Sequence, residues 1–306
     1  MCIRDSCKAV KEAQLLLMCY TPISSKVIDS AQRLKGIVKY GVGIDAIDIP
    51  AASRRGIPVV NVPEYAESTV AEGAFCLLLA LLKRLLPITG AMQKNGWIDP
   101  ASIWLGDDVR DRTIGIVGTG RIGCAFARMA HFGFGARVIG YDPNVSRETM
   151  ALSGINKVDD LHTLLAAADV ISLHSVLNND TRTMIGPHEF ASMQCHPIFI
   201  NVSRGALVDE DALINALNTG QISAAALDVF SQEPLDRIDH PLATLFGREN
   251  VILFPHLTFF TRSAMRRLSE DTLARCREIL SGDTLTIRST DPRLTVQAES
   301  LHVKLE

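Results

Sequence analysis

Residues 113–142, TIGIVGTGRIGCAFARMAHFGFGARVIGYD, decide the fold that this chain is predicted to adopt. An apolar run leads into the glycine turn GTGRIG at positions 118–123, and apolar residues at helical spacing follow it. Gly118 permits a tight turn, Gly120 lets the backbone approach a pyrophosphate, and Gly123 lets the helix pack closely on the strand. N–H groups and the helix dipole favour an anion at such a helix N-terminus. The stretch therefore predicts a strand, a turn and a helix that bind a dinucleotide.

A carboxylate at the end of the same stretch predicts which dinucleotide binds. The second apolar run, 137–141, ends at Asp142, 19 residues beyond Gly123, which is about where a ribose-binding acid is expected. Such a carboxylate accepts hydrogen bonds from both ribose hydroxyls and repels a 2′-phosphate, so NAD is favoured over NADP. A glycine-rich turn in an unrelated α/β protein is the alternative for an isolated motif. The strand, helix, second strand and acid in register favour the dinucleotide site.

The composition bounds the other properties of the chain. Its 306 residues suffice for two medium-sized domains, and 47% hydrophobic with 21% charged residues is typical of a compact protein. The net charge of −3 provides no polyanion-binding surface, so we expect no nucleic-acid partner. The apolar run 75–82 is too short to span a bilayer, so we expect no membrane anchor. Seven cysteines without a CxxC pair predict a reducing, cytoplasmic location, and no metal site is predicted.

The segment before the glycine turn alternates strands and helices, which is the signature of a parallel sheet. We predict strand 15–20, a helix at 24–34 that Gly36 ends, strand 37–40, helix 49–55 and strand 58–61.

A long apolar helix follows this segment. Ser68 is positioned to cap its N-terminus, and Pro87 is positioned to close it. Because apolar side chains occupy most of its circumference, we expect the helix to be buried on several sides, as at a domain junction or a subunit interface.

The alternation continues over residues 113–254 and predicts one doubly wound domain of about six strands. A last helix at 262–280 and a polar tail complete the chain. Because ligands bind beyond the carboxyl ends of the strands in such sheets, the polar residues after each strand are the candidates for chemistry. The further elements are predicted as helix 161–168, strand 170–174, helix 187–192, strand 198–202, helix 210–218 and strands 224–229 and 251–254.

An arginine and a histidine after two of these strands are candidates for catalysis. Arg204 directly follows the strand FINV, where its guanidinium can hold a carboxylate and polarise a carbonyl. A surface arginine that caps the next helix fits the position equally well. His256 follows a later strand, and Glu233 lies on the neighbouring loop. A carboxylate partner fixes the tautomer of a histidine and stabilises its protonated form, which suits proton transfer.

The alternative for each histidine is a core position with a bond to a backbone carbonyl, which His174 and His240 also fit. An arginine and a Glu–His pair beside a nicotinamide describe hydride transfer to a 2-oxo acid. The chain resembles the D-isomer-specific 2-hydroxyacid dehydrogenases, a family that includes glyoxylate/hydroxypyruvate reductases and phosphoglycerate dehydrogenases. The resemblance covers about residues 13–280 and rests on VGTGRIG with YDP, NVSRGALVDEDAL, ALDVFSQEP, FPH and the stretch 39–72.

The resemblance implies an α/β fold of two lobes with doubly wound parallel sheets. A Rossmann NAD-binding domain, residues 91–261, would be inserted in a flavodoxin-like substrate domain, residues 1–90 and 262–306. The long helix from Ser68 would cross between the lobes. The family is usually dimeric through the cofactor domain, so a homodimer is expected.

The resemblance also implies the roles of individual residues. Arg204 would bind the substrate carboxylate and carbonyl, His256 would act as acid and base, and Glu233 would orient His256. The N–H groups of Val42 and Gly43 would complete the carboxylate site. The residues implied to line the cofactor are Gly118, Gly120, Arg121, Ile122, Gly123, Asp142, His174, Ser175, Val176, Thr181, Val202, Ser203 and Asp228, the last of them near the carboxamide.

The predicted reaction is the NAD-dependent interconversion of a small D-2-hydroxy acid and its 2-oxo acid. The alternative from a different class is an NADH-sensing protein-interaction module, because the fold also serves in transcriptional corepressors with the same residues. A relative that oxidises formate is a third alternative. Arg33, Arg54 and Arg55 either meet a substrate phosphate or lie on solvated helix faces, so the substrate stays open.

Two departures from the family pattern lead to further expectations. The family's first strand and helix are missing ahead of Ala13, and residues 1–6 have no period, which predicts a non-native start and a fragment with an open, aggregation-prone sheet edge. After His256, where many relatives carry small residues, Phe259 and Phe260 follow. These aromatics either shape the substrate pocket or pack in the core under the C-terminal helix, and we expect core positions.

Overall fold

The computed structural model of the chain describes residues 3–283, 285–289, 291–301 and 303–305. Met1 and Cys2, within the predicted non-native start, lie outside these residues. The strands are β1 (Leu15–Met18), β2 (Gly36–Lys39), β3 (Val59–Val60), β4 (Thr113–Val117), β5 (Arg137–Tyr141), β6 (Asn156–Lys157), β7 (Val170–Leu173), β8 (Ile198–Asn201), β9 (Ala224–Leu227), β10 (Val251–Leu253), β11 (Thr286–Ile287) and β12 (Lys304–Leu305). The α-helices are α1 (Ile3–Ala9), α2 (Ser25–Ser30), α3 (Ile49–Arg54), α4 (Glu67–Leu82), α5 (Leu85–Asn95), α6 (Arg121–Arg128), α7 (Arg147–Ala151), α8 (Leu161–Ala167), α9 (Pro187–Ala191), α10 (Glu210–Thr219), α11 (Arg262–Ser281) and α12 (Pro292–Leu301).

The chain divides into two compact units. The small unit comprises Met1–Ala66 and Phe260–Glu306, and the large unit comprises Glu67–Phe259. The domains predicted from the sequence placed residues 67–90 in the substrate domain, whereas here these residues belong to the large unit. The reason is the packing of α4, which lies against α6 and against strands β8, β9 and β10.

The small unit is built on a three-stranded parallel sheet in the order β1-β2-β3. All four residues of the central strand β2 are buried, as expected for a strand covered on both faces. Its core includes Ile28 of α2, Ile37 of β2 and Ala52 of α3. The alternation of short strands and helices before the glycine turn was thus predicted correctly from the sequence.

The end of the chain is part of this core, which the polar composition of the tail did not predict. Helix α12 packs on α3 and β3, and its Leu294 and Ala298 are fully buried. The buried Gln297 accepts a hydrogen bond from the Val59 nitrogen over 2.8 Å and donates to the Ile57 carbonyl over 3.3 Å. A buried glutamine satisfied by the backbone allows a segment of polar composition to complete an apolar core.

Three predicted element boundaries were also wrong. Gly36 does not end a helix but begins β2, where a Cβ atom would lie 2.7 Å from Ile279 Cγ2 of α11. The glycine is needed because α11 packs closely on the strand. Ser68 does not cap α4, since the helix begins at Glu67. Pro87 does not close α4 but lies in the first turn of α5, where the missing N–H of proline costs no helical hydrogen bond.

The large unit contains a seven-stranded sheet in the order β10-β9-β8-β7-β4-β5-β6, in which every neighbouring pair is parallel. One strand more than expected is present, because the two-residue β6 has no apolar pattern. Strands β7, β8 and β9 are buried at every position, as helices on both faces require. The chain order reverses between β4 and β7, which is the point where a doubly wound sheet opens a crevice for ligands.

Among the described residues, no single helix is both long and apolar enough to cross a membrane. The bent pair of α4 and α5 passes the same test of length and composition when the two helices are taken together.

Candidate cofactor and catalytic site

The glycine turn follows β4 at the point where the strand order reverses. Gly118 has a φ of +91° and donates its N–H to the Tyr141 carbonyl over 2.9 Å. A Cβ atom on Gly118 would lie 2.6 Å from the Ser175 nitrogen, and one on Gly123 would lie 2.2 Å from the Gly118 carbonyl oxygen. Both positions require glycine, because a side chain at either would collide with backbone atoms. The turn therefore lies directly against the loop that follows β7.

The N-terminus of α6 offers a cradle for an anion. Gly120 is the N-cap residue, and no side chain of the described residues caps the helix. No described atom lies within 4 Å of the position that a Cβ on Gly120 would take, so the first turn faces open space. Ile122 in that turn is half-buried, and Arg121 Nε lies 3.1 Å from Glu67 Oε1 of α4. Backbone N–H groups, the positive end of the helix and open space together fit a diphosphate.

Asp142 stands beside this turn at the end of β5. Its Oδ2 accepts a hydrogen bond from the Thr119 nitrogen over 2.9 Å, and its Oδ1 accepts one from the Asn144 nitrogen over 3.0 Å. A carboxylate oxygen can accept about two hydrogen bonds, so each oxygen keeps capacity for a ribose hydroxyl. The carboxylate thus holds the turn in place and fits the ribose of a dinucleotide.

The loops after β7 and β8 are tied to each other by hydroxyl groups. Ser175 donates to the last carbonyl of β4 over 3.1 Å, and Ser203 donates to the Ser175 carbonyl. Thr181 donates to the carbonyl of Val176, whose side chain is exposed. Val202 is buried. The predicted cofactor residues of both loops therefore lie at one edge of the sheet.

His174 is the predicted cofactor residue whose side chain points elsewhere. Its ring packs on Phe126, with 5.3 Å between centroids, and its Nε2 lies 2.9 Å from Ser172 Oγ. Its buried Nδ1 has no hydrogen-bond partner among the described residues. Desolvation by burial lowers the pKa of His174 from 6.5 to about 3. The ring belongs to the interior of the large unit, so the core position that we gave as the alternative describes it better.

The predicted pair of His256 and Glu233 is present in the structure. His256 Nδ1 lies 2.8 Å from Glu233 Oε2, and the other carboxylate oxygen accepts from the Phe230 nitrogen over 3.0 Å. Burial raises the pKa of Glu233, but the hydrogen bond and charge of His256 outweigh this effect and hold that pKa below its ordinary value. The carboxylate is therefore ionised at neutral pH. It fixes the Nδ1–H tautomer of the imidazole and leaves Nε2 for proton exchange.

Asp228, at the end of β9, holds the backbone that carries His256. Its Oδ1 accepts from the Leu257 nitrogen over 2.8 Å, and its Oδ2 accepts from both the nitrogen and the hydroxyl of Thr258, over 3.1 and 2.5 Å. Burial raises the pKa of Asp228, and these hydrogen bonds oppose the rise. Sequence reasoning missed Thr258. The carboxylate predicted to face the carboxamide thus also positions the histidine loop.

Arg204 acts through its charge on Glu233 of the Glu233–His256 pair. Its backbone is shaped by the buried Asn201, which donates to the Arg204 carbonyl over 2.9 Å and accepts from the Ser203 nitrogen over 3.1 Å. The charge of Arg204 contributes to the low pKa of Glu233. Sequence reasoning missed Asn201, although a polar residue that ends an apolar strand was a signal.

The aromatic residues after His256 do not occupy the core positions that we expected. Phe259 is half-buried with its ring edge-on to the His256 ring, 6.3 Å between centroids, and Phe260 is 58% exposed. The expectation failed because these residues follow the histidine in a loop, ahead of α11, and not on the buried face of a helix. Phe259 therefore adds an apolar surface beside the imidazole.

The predicted carboxylate-binding amides lie in the small unit. Val42 and Gly43 follow β2, and the side chain of Val42 is 38% exposed. The Val42 carbonyl accepts a hydrogen bond from the buried Asn61 side chain over 2.7 Å. Their role in binding a carboxylate stays a prediction.

Comparison with known proteins shows the family of the chain. A sequence model described as "D-isomer specific 2-hydroxyacid dehydrogenase, NAD binding domain" matches residues 75–258. The chain belongs to this family. The match spans the glycine turn, Asp142, Arg204 and the Glu233–His256 pair, so the large unit is a NAD-binding domain of the D-2-hydroxyacid dehydrogenases.

Individual relatives differ in length from the chain. It is 37% identical over 275 residues to a D-3-phosphoglycerate dehydrogenase of Methanocaldococcus jannaschii, covering 90% of the chain and 51% of that protein. It is 40% identical over 265 residues to a glyoxylate reductase of Korarchaeum cryptofilum, covering 85% of the chain and 78% of that protein. The chain thus spans about half the length of the first relative. The crystal structure of a D-lactate dehydrogenase from Aquifex aeolicus, complexed with NAD and lactic acid, is similar with a TM-score of 0.85 and 31% identity, covering 90% of this chain and 86% of that one.

The substitution Gly118→Ala tests the cofactor turn. The added Cβ meets the Ser175 backbone at a left-handed φ, so the turn must shift, and we expect the Kd for NADH to rise at least about tenfold. Gly220→Ala is the matched control, because Gly220 has a φ of +73° but no described atom within 4 Å of its Cβ position. Fluorescence titration with NADH measures both variants. Equal affinity of Gly118→Ala and the wild type would contradict this account of the turn.

The substitution His174→Gln tests the burial of that ring through the pH dependence of stability. The unfolded chain protonates His174 below about pH 6.5, whereas the folded chain does so only near pH 3, so the ring destabilises the fold increasingly as the pH falls through this window. Between pH 7 and pH 5 we expect the wild type to lose about 2 kcal/mol more unfolding free energy than His174→Gln. Urea denaturation at both pH values measures the difference. His188→Gln, at an exposed position, is the control, and identical pH dependence of all three proteins would refute the prediction.

Proposed function

We propose that the chain catalyses the NAD-dependent interconversion of a small D-2-hydroxy acid and its 2-oxo acid. The hydrogen bond of 2.8 Å between Glu233 and His256 carries this proposal, because it makes the histidine a positioned proton donor and acceptor at the cofactor edge of the sheet. Family membership supports the same reaction type.

Each residue of the pair has a distinct task in this reaction. Bound NADH would supply the hydride to the carbonyl carbon. His256, held by Glu233 at Nδ1, would donate a proton from Nε2 to the carbonyl oxygen during reduction and accept it during oxidation. Because Glu233 is ionised, it stabilises the protonated imidazole before the transfer.

Arg204 is proposed to bind the substrate and to stabilise the transition state. Its planar guanidinium can hold a carboxylate with two parallel hydrogen bonds and can polarise a neighbouring carbonyl. As negative charge develops on the carbonyl oxygen, this cation becomes more favourable than in the ground state. The small unit offers the Val42 and Gly43 amides as further candidates for the carboxylate.

The NADH-sensing interaction module has less support than the enzyme. The relatives described above are named as dehydrogenases or reductases. A reducing, cytoplasmic location is proposed as well, which the six unbridged cysteines among the described residues support.

The substitution His256→Ala tests the proposed reaction. Loss of the proton donor should lower kcat by about 10²–10⁴-fold while NADH binds as before. The measurement is NADH oxidation with glyoxylate, hydroxypyruvate, pyruvate and phosphohydroxypyruvate as trial substrates, together with a fluorescence titration of NADH. His188→Ala, at an exposed position of the same unit, is the control and should keep full activity.

The outcomes of this experiment separate the candidates. Near-normal turnover of His256→Ala would remove the histidine from the mechanism. Tight NADH binding by the wild type without consumption in the presence of any of the four acids would favour the sensor.

We also propose that the large unit forms a homodimer with a second copy. Large apolar side chains are exposed on α5, on the segment that follows it and next to α6, which is typical of an interaction surface. They include Leu85, Leu86, Trp97, Ile103, Leu105 and Phe132, all at least 54% exposed. An apolar groove lined by Phe75, Leu79, Met129 and Phe134 adjoins this surface.

The substitution Leu105→Glu tests the proposed dimer. Leu105 is 76% exposed, so a buried charge at a dimer interface should shift the protein to the mass of a single chain without unfolding it. Size-exclusion chromatography with light scattering measures the mass. Leu152→Glu, at a position that is 81% exposed directly after α7, is the control and should remain dimeric. A wild type that elutes as a monomer at all concentrations would contradict the dimer.

A further inference from the structure

Glu233 lies on a segment that has little regular structure of its own. We call residues 230–240 the glutamate loop. It follows β9 and ends where a 3₁₀-helix, Pro241–Leu245, begins. A carboxylate on such a loop keeps its geometry only if the loop itself is held by other contacts. The side chains that hold it therefore decide the position of Glu233.

Glu210, the first residue of α10, holds the start of the glutamate loop by two hydrogen bonds. Its Oε1 accepts from the Ser231 nitrogen over 2.7 Å, and its Oε2 accepts from the Ser231 hydroxyl over 2.6 Å. The Glu210 side chain is only 9% exposed. Because Asp209 already caps α10 by accepting from the Ala212 nitrogen, the buried carboxylate of Glu210 is not needed as the cap of its own helix.

The hydrogen bonds from Ser231 to Glu210 lie next to the bond that Glu233 makes with its own loop. Phe230 donates its N–H to Glu233 Oε1, and the adjacent Ser231 donates its N–H to Glu210 Oε1. Successive amides thus orient the catalytic carboxylate and anchor the loop to α10. A shift of the Ser231 amide moves the Phe230 amide with it, since the two belong to adjacent rigid peptide units that are joined at the Phe230 Cα atom.

The same stretch of loop also packs against the arginine side of the site. A Cβ atom on Gly205 would lie 1.9 Å from the Phe230 carbonyl carbon and 2.3 Å from the Ser231 nitrogen. The loop backbone therefore rests directly on the residue after Arg204. Ser231, which Glu210 holds from α10, is part of this contact.

A buried histidine at the far end of the glutamate loop lies beside the Glu210 carboxylate. His240 is 5% exposed, and its Nδ1 accepts from the Leu242 nitrogen over 3.2 Å. Its Nε2 lies 3.7 Å from Glu210 Oε2 and has no hydrogen-bond partner among the described residues. Both ends of the loop consequently converge on Glu210.

We infer that Glu210 is a positioning residue: through Ser231 it fixes the glutamate loop and thereby the Glu233 carboxylate that sets the tautomer of His256. The inference rests on the proposed function for its effect on catalysis, but its effect on the imidazole is independent of any substrate. Without the bonds between Glu210 and Ser231, Glu233 loses its fixed distance of 2.8 Å from His256 Nδ1. The imidazole then exchanges between its two tautomers.

Four variants of the full chain test this inference. Glu210→Ala removes both bonds to Ser231, and Ser231→Ala removes only the hydroxyl bond. Glu210→Gln keeps an acceptor for the Ser231 nitrogen and a donor for its hydroxyl, so it should rescue the geometry. Asp209→Ala removes the cap of α10 without touching Ser231 and is the matched control for helix stability.

The first readout is the ¹⁵N spectrum of the histidine side chains, with the His256 signal identified through its loss in His256→Ala. We expect the wild type, Glu210→Gln and Asp209→Ala to show the Nδ1–H tautomer at alkaline pH, and Glu210→Ala to show a mixture of both tautomers. The second readout is kcat and KM for 2-oxo acid reduction. In Glu210→Ala, kcat should fall on the order of tenfold, because the Glu233 carboxylate no longer holds His256 in the tautomer that serves proton transfer.

The results distinguish a positioning role from a merely structural one. If Glu210→Ala lowers the Tm but keeps the wild-type tautomer and kcat, the inference is overturned. If Glu210→Ala does not fold, Ser231→Ala decides: a small shift toward the mixed tautomer supports the inference, and an unchanged His256 signal overturns it. A wild type that reduces none of the 2-oxo acids refutes the proposed function alone, since the tautomer comparison still tests Glu210.

Discussion

All seven strands of the large unit run in one direction, and the site depends on this constraint. In a parallel sheet every carboxyl end lies at the same edge, so groups that are far apart in sequence become neighbours. The reversal between β4 and β7 opens that edge. The glycines at this point remove the side chains that would otherwise fill the crevice. The groups assembled there are Asp142 after β5, Ser175 after β7, Arg204 after β8, Asp228 after β9 and His256 after β10.

The loops at this edge share one means of fixation. Their backbone amides have left the sheet and need new acceptors, because a buried N–H without a partner is costly. Carboxylates supply these acceptors: Asp142 for Thr119, Asp228 for Leu257, and Glu210 for Ser231. The same residue type that provides the chemistry thus also fixes the loops. At each of these positions, substitution of the acid by its neutral amide would remove the charge of the side chain and keep its shape.

The alternation of strands and helices, the glycine turn and the Glu233–His256 pair could be predicted, because local patterns and family motifs record them. The start of β2 at Gly36 and the buried Gln297 could not, since each depends on a partner more than 200 residues away. The resemblance implied that His174 lines the cofactor, but only the packing of its ring on Phe126 shows that the side chain faces the interior. Likewise, the bonds from Thr258 to Asp228 depend on loop geometry that no spacing reveals.

His256 has a φ of +56°, a left-handed conformation that favours glycine or asparagine. For a residue with a Cβ this conformation costs about 1 kcal/mol. The amides that follow it are held by Asp228, so the conformation is imposed by the surroundings and not by the residue. Loss of these contacts would let the His256 backbone relax to an ordinary conformation, which would turn the imidazole away from Glu233. The proton-transfer geometry of His256 therefore depends on the end of β9. Substitutions there would inactivate His256 although the histidine itself is unchanged.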